Sequence, residues 1–279
     1  MLIADQFAEA MANAGLITQD PVIADGALHR IHLEGHKRGT RNGAYVLHGD
    51  GKAAGWFQDF VTGTRATWKA ASDWKPDTGA RRRMEEAKAQ RLAEEKARHE
   101  EAASRAARIW EQATDCTSHP YLTMKRVKPC GLRVKGDALL IPLRDSWGNL
   151  WSLQRIEPHG AKRFMTGGRV KGLMHWVGNG TQTVFVAEGF ATAATLAERT
   201  GFGAYVAFTA GNLLAVANEL REIFPQRRII IAGDTDPVGR AKAEEAARVA
   251  RAELSIPEFP PGVEGSDWND LSIAEGAHV

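Results

Sequence analysis

Residues 183–236 constrain this chain more than any other stretch. They open with Val184-Phe185-Val186-Ala187-Glu188-Gly189 and close with Ile229-Ile230-Ile231-Ala232-Gly233-Asp234-Thr235-Asp236. Short β-branched runs bounded by glycine predict buried parallel strands. Between them, the alanine-rich residues 190–200 predict a helix, 204–210 a strand and 212–223 a second helix. The order βαβαβ is that of a doubly wound α/β unit, whose ligands gather at the carboxyl ends of the strands. Glu188, Asp234 and Asp236 fall at those ends. Carboxylates sharing a crevice repel one another unless a cation lies between them. Strand-end acids also cap the helices that follow, so each acid taken singly has two readings.

The remaining composition narrows the function. The 279 residues suit two modest domains, or one domain with an appendage, and the 43% hydrophobic and 25% charged fractions are ordinary. A net charge of +2 means that any affinity for nucleic acid comes from local patches. Two cysteines, Cys116 and Cys130, exclude a disulfide framework and a four-cysteine zinc site. No apolar run reaches membrane-spanning length and the N-terminus lacks a signal-peptide pattern, so a cytoplasmic protein is expected. There is no G-x-x-x-x-G-K-[ST] for a P-loop motor and no G-x-S-x-G for a nucleophilic serine.

Four segments follow from the pattern. Residues 1–77 predict a small β-rich module: a helix over 7–14, strands over 28–32, 44–48 and 54–60, and a hairpin at His48-Gly49-Asp50-Gly51. Its Arg30, Lys37, Arg38 and Arg41, interleaved with Trp56 and Trp68, suit a single strand through phosphate pairing and base stacking. Each tryptophan alone is equally at home in a core. Residues 78–115 predict a charged helical linker with Glu94–Arg98 and Glu101–Arg105 pairs. Residues 116–180 carry the hairpin Ile141-Pro142-Leu143-Arg144-Asp145-Ser146-Trp147-Gly148 and a basic run through Lys162, Arg163, Arg169 and Lys171. Residues 181–279 hold the doubly wound unit, a helix expected over 238–254 with Arg240 and Lys242 at its start, and Ser266-Asp267-Trp268-Asn269-Asp270.

Glu-Gly after one strand and Asp-x-Asp after a later one resemble the Toprim domain of DnaG-type primases, topoisomerases and some nucleases. The resemblance implies Mg²⁺ or Mn²⁺ held by Glu188, Asp234 and Asp236. Asp267 is either a further group at that site or a helix cap. The hairpin and basic run before it resemble the segment preceding Toprim in DnaG-type primases. That likeness implies that Arg144, Arg155, Lys162, Arg163 and Lys171 line a groove for template and nucleotide. Arg240 and Lys242 lie near the acids and within reach of a phosphate. The N-terminal layout is similar to the zinc-binding module of primases, but no cysteine precedes residue 116, so no zinc is expected. His29, His32, His36 and His48 are the imidazoles there.

The whole resembles a primase core of the plasmid and phage kind, acting in mobile-element replication. A 3′-hydroxyl would attack an α-phosphate under two-metal catalysis, with Glu188 as ligand or base. Partners implied are single-stranded DNA, nucleoside triphosphates and a replicative helicase. Two alternatives remain: a Toprim nuclease with water as nucleophile, and a non-catalytic DNA-binding module that recruits a helicase. A topoisomerase needs a tyrosine nucleophile on a further domain, and Tyr45, Tyr121 and Tyr205 are the only tyrosines.

Overall fold

A computed structural model describes residues 2–49, 53–70, 78–180 and 182–276, with backbone only at 78–81, 83, 84 and 87. The chain forms two compact units, residues 1–94 and 95–279.

In the first unit, α1 (Ile3–Asn13) precedes a four-stranded antiparallel meander. Its strands are β1 (Asp25–Ile31), β2 (Gly43–His48), β3 (Ala54–Asp59) and β4 (Arg65–Lys69). Phe7 and Met11, one helical turn apart, are fully buried. The Phe7 ring packs 5.7 Å from Tyr45, 5.7 Å from Phe57 and 5.5 Å from Trp68, centre to centre. Gly55 makes this packing possible, since a Cβ there would strike the Phe7 ring and the Val46 carbonyl. Strand alternation turns Trp56 to the other face from Phe57, where the Arg65 guanidinium lies 5.5 Å from its ring. Trp68 is therefore a core residue, and it sits on a strand the pattern did not reveal. Lys37, Arg38 and Arg41 are exposed in the β1–β2 loop, and Arg30 lies 4.3 Å over Phe60. His29, His32 and His36 have separate partners in Asp25, the Thr40 carbonyl and Asp59. The expected Asp50-Gly51 turn lies outside the described residues.

The boundary between the units falls within α2 (Thr78–Glu111). The expected Glu101–Arg105 pair is present at 2.6 Å, while Glu94 accepts from Gln90. The sequence predicts a charged linker over these residues. Its last turns instead bury Ala102 and Ala106, and Ala106 packs with Leu140 and Leu153 beside Ile109 and Trp110. Alanines at four-residue spacing allow that close approach, and they carry little weight in a hydropathy pattern.

The second unit holds two sheets. The first is an antiparallel run of β5 (Thr114–Asp115), β6 (Arg133–Lys135), β7 (Ala138–Arg144), β8 (Leu150–Ile156) and β9 (Lys162–Phe164), with α3 (Pro120–Lys125) between β5 and β6. The second contains β10 (His175–Val177), β11 (Thr183–Ala187), β12 (Gly203–Val206), β13 (Arg228–Ala232) and β14 (Glu253–Ser255), in the order β10-β12-β11-β13-β14. Only β10 is antiparallel to its neighbour. Helices α4 (Phe190–Thr200), α5 (Leu213–Ile223), α6 (Pro237–Val249) and α7 (Trp268–Ala274) complete it.

Alternation sorts the faces. Phe185, Ala187, Ile230 and Ala232 pack with α4 and with Leu139, Ile141 and Ile156 of the other sheet. Val184, Val186, Ile229 and Ile231 pack with α5 and α6. The expected doubly wound α/β fold is observed, with three differences. The strand expected over 204–210 ends at Val206, because Phe208 takes a left-handed φ of 71° and donates its N–H to the Glu188 carbonyl. The helix expected over 238–254 ends at Val249, since Arg251 has φ 51° and residues 253–255 pair alongside β13. Residues 175–177, expected with the basic segment, join the parallel sheet instead.

Candidate active site

The strand order changes direction between β11 and β13, which makes their carboxyl ends the switch point of the sheet. Glu188 follows β11 and Asp234 follows β13. The Lys162 ammonium lies against Gly189, close enough for its charge to act on Glu188. Gly233 lets α6 approach, because a Cβ there would sit 2.6 Å from Ala243 and Ile256. Asp236 is the N-cap of α6, its Oδ1 accepting from Val238 N at 3.1 Å and Gly239 N at 3.0 Å. Asp267 is the N-cap of α7 and accepts from Asp270 N at 2.8 Å. Thr235 N donates to the Ser266 carbonyl at 2.9 Å, which draws the loop before Asp267 to the loop after β13. Both capping readings thus hold for Asp236 and Asp267, and capping leaves each a second oxygen.

Asp234 is the strained member. Its Oδ1 is buried with no hydrogen-bond partner. Burial, then the charges of Glu188, Asp267 and Asp236, push its pKa up to about 7, against the pull of Lys162. Burial also raises Glu188, opposed by Lys162. Lys162 keeps a solvent-exposed flank, yet protein crowds its ammonium: burial and Lys125 lower its pKa, while Asp267, Glu188 and Asp234 hold it up. Its Nζ lies 5.8 Å from the centre of the buried Tyr121 ring.

Of the expected cations, only Lys162 joins the acids. Lys162 and Arg163 are neighbours in a strand and so face opposite ways. Arg163 and its cross-strand partner Arg155 line a separate cavity of about 400 Å³ with Lys135, Leu140, Leu153 and Met165. Arg155 is further held by Glu157 at 2.8 Å. Arg144 closes the far end of β7, over Trp110. Arg144 and Asp145, adjacent in the hairpin, take separate hydrogen-bond partners: the Arg144 guanidinium donates to the Gly148 carbonyl at 2.8 Å, and Asp145 accepts from Trp147, Asn149 and Trp151. Lys171 is exposed in the loop before β10. Arg240 is exposed on α6, and Lys242 is paired with Glu245 at 2.7 Å.

The pattern missed four supporting residues. Lys125 pairs with Asp270 at 3.0 Å. Asn269 donates to the Lys125 carbonyl at 2.7 Å and to Thr195 Oγ1 at 2.8 Å, joining α3, α4 and α7. Asn212 accepts from Gly172 N at 2.7 Å and donates to the carbonyls of Val170, Leu173 and Ala207. Tyr121 has a buried hydroxyl without a partner. The one local signal was His119-Pro120, a cap followed by proline at the first helical position, which marks α3.

Among the described residues no three His, Cys, Asp or Glu side chains stand close enough together to hold an ion as they are. The donor set nevertheless suits a hard divalent cation. It is all carboxylate, it has an orphaned buried oxygen on Asp234, and mutual repulsion raises that group's pKa.

The Toprim domain family matches residues 183–278. Residues 183–278 are a Toprim domain. The resemblance read from the strand-end acids is borne out. Over 92% of its length the chain is 35% identical to a DNA primase TraC of Escherichia coli, and over 92% it is 36% identical to a second DNA primase TraC from the same organism. It spans only 27% and 20% of the lengths of these relatives. Among solved structures, the primase fragment of the bacteriophage T7 primase-helicase protein is 22% identical, over 58% of this chain and 71% of that one, with a TM-score of 0.46. Glu188, Asp234, Asp236 and Asp267 all lie within the Toprim match, whereas Lys162 comes from the sheet before it. No helix among the described residues is long and apolar enough to cross a membrane.

Proposed function

We propose that this chain carries the catalytic centre of a DNA primase, a nucleotidyltransferase that builds short primers on single-stranded DNA in the cytoplasm. The observation that carries this reading is the unpartnered, buried Asp234 oxygen at the switch point of a Toprim sheet, opposed by Lys162. Similarity to DNA primase TraC along 92% of the chain supports it. Asp234 and Asp236 would hold Mg²⁺ or Mn²⁺, with Glu188 as third ligand and Asp267 beside them. Bound there, such ions stabilise charge on the attacking and leaving oxygens of phosphoryl transfer.

The chain's own residues do the rest. Glu188, its proton affinity raised by burial, accepts the proton of the primer 3′-hydroxyl if it is not itself a ligand. The hydroxyl oxygen bonds to the α-phosphorus, the bond to the bridging oxygen breaks, and pyrophosphate leaves. Lys162 pairs with the phosphate oxygens as charge develops. Arg155 and Arg163, on the opposite face of their strands, hold template phosphates away from the reacting atoms. Single-stranded DNA and nucleoside triphosphates are the substrates, and a replicative helicase is the partner.

Primer synthesis on single-stranded DNA with nucleoside triphosphates and Mg²⁺ or Mn²⁺ tests this. Wild type should make short products, and Asp234→Ala and Glu188→Gln should each lose about 10²–10³-fold in rate. Cutting of the template without synthesis would transfer the chain to the nuclease class. Binding with neither activity would leave a recruiting module.

A further inference from the structure

Helix α3 carries Tyr121 to the edge of the acid crevice. His119 caps the helix, its Nδ1 accepting from Tyr121 N at 3.2 Å. Tyr121 and Lys125 are four residues apart and so share one face of α3. Lys125 meets Asp270 at 3.0 Å, which turns that face to the start of α7, where Asp267 is the cap. The Tyr121 side chain is 1% exposed and belongs to the core that also holds Leu122, Ala187 and Phe190. Gly160, with a left-handed φ of 92°, leaves room for one edge of the ring, and Lys162 Nζ lies 5.8 Å from the ring centre.

Packing accounts for the ring but not for the hydroxyl. Its oxygen is buried and has no hydrogen-bond partner among the described residues. An unpaired buried hydroxyl is costly, and phenylalanine would fill the same space without that cost. Burial, then the charges of Asp267 and Asp270, push the pKa of the phenol up, so it is a donor throughout the ordinary pH range. The Asp267 charge also acts on Asp234 and on Lys162, so the phenol, the acids and the ammonium border one space. Acceptors are in surplus there: Asp234 Oδ1 is itself unpartnered, and Asp267 spends one oxygen on Asp270 N. The crevice thus holds a donor and several acceptors that are not paired with one another.

We propose that Tyr121 is a positioning residue for a divalent cation at these acids: its hydroxyl donates to the oxygens that surround the bound ion on the α7 side, and its ring carries Lys162 alongside. The proposal rests on reading Glu188, Asp234 and Asp236 as the ligands of that ion. Donors of this kind orient metal ligands and raise affinity without touching the metal.

Mn²⁺ binding to the full chain, followed by the electron paramagnetic resonance of the free ion, tests this with Tyr121→Phe beside wild type. The substitution keeps the ring against Lys162 and removes only the hydroxyl. Without metal the variant should melt no lower than wild type, since it loses an unpaired group. Its Mn²⁺ dissociation constant should nevertheless rise about tenfold. Ser152→Ala, which removes a buried unpartnered hydroxyl from β8, should leave Mn²⁺ affinity unchanged. An equal loss in that variant would reduce the effect to a general loosening of the fold and overturn the proposal. Equal affinity in wild type and folded Tyr121→Phe overturns it too, and leaves the primase reading standing. If affinity falls in Tyr121→Phe but wild type makes no primers, the primase reading fails and the role of Tyr121 holds. A wild-type chain that binds no Mn²⁺ overturns both. If Tyr121→Phe does not fold, the Raman doublet of the three wild-type tyrosines takes its place. It should shift on adding Mg²⁺ as one phenol gains an acceptor, and an unchanged doublet overturns the proposal.

Discussion

At the carboxyl ends of β11 and β13, Asp234 shares a crevice with Glu188, Asp236 and Asp267. At the far end of β7, Arg133 and Arg144 share one indole, that of Trp110. Both places gather like charges, and folding alone gains nothing from that. They differ in how the crowding is relieved. The acids relieve it by titration, since Asp234 holds a proton up to about pH 7. The arginines have no such route, because a guanidinium stays protonated throughout the ordinary pH range. They are instead partly satisfied by carbonyls and by the faces of Trp110. A crowded cluster of fixed charge favours a ligand of opposite sign at all pH values, whereas a crowded acid cluster favours its cation only once the proton has left.

Substitutions can break or sharpen this contrast. The largest effect on stability is expected from Asn212, which serves both regions. It fixes residues 170–173 just before Met174, whose backbone pairs with Arg144, and it holds Ala207, whose N–H meets Ala187 beside Glu188. Asn212→Ala should cost about 2–4 kcal/mol by urea unfolding, since it strands several buried backbone groups. A cost below about 0.5 kcal/mol would mean the two regions have no common support.

Next comes Asp234→Asn, followed by thermal unfolding at several pH values. The folded-state pKa of Asp234 is raised, so the native chain holds the extra proton between pH 3.8 and about 7. Wild-type stability therefore falls as pH rises through that window, and the loss persists above it. The variant lacks this penalty. It should exceed wild type by about 1–2 kcal/mol at pH 8, after discounting for solvent reaching the cluster, and by almost nothing at pH 4. In melting temperature that is a gain of about 2–6 °C at pH 8. His175 acts in the opposite sense, costing stability as pH falls from 6.5 towards 4, but it does so equally in both proteins. The smallest effect belongs to Arg144→Gln. A stability gain of about 0.5 kcal/mol or less should be the same at pH 6 and pH 8, both well above the folded-state pKa of His175, which Arg144 helps to depress. A gain that varied with pH would remove the distinction between the two regions.

How legible these features were follows from the range of the interactions that make them. The βαβαβ order and the strand-end acids were readable, because β-branched runs, glycine punctuation and a trailing carboxylate are local. The ends of the last strand and helix were not. Phe208 and Arg251 turn left-handed against their intrinsic preference, held there by pairing with distant strands. The basic run was legible as cations but not as sides: Lys162 and Arg163 are adjacent in sequence, and only sheet pairing reveals that Arg163 joins Arg155 at a cavity while Lys162 faces the acids. Asn212, Asn269 and Lys125 act through contacts across 39 to 145 residues, for which no pattern within one element exists. Trp68 illustrates the reverse. Its aromatic character was plain, and only the fourth strand of the meander assigns it to Phe7 rather than to a ligand.

The account stands most directly on whether the crowding around Asp234 is relieved by a divalent cation. Calorimetric titration of Mg²⁺ and Mn²⁺ into the wild-type chain and Asp234→Asn, at pH 8 and pH 6, decides this. Binding to wild type is predicted at pH 8, about tenfold weaker at pH 6 because Asp234 must first lose its proton, and absent in the variant. Equal binding at both pH values, or binding that survives Asp234→Asn, would contradict it.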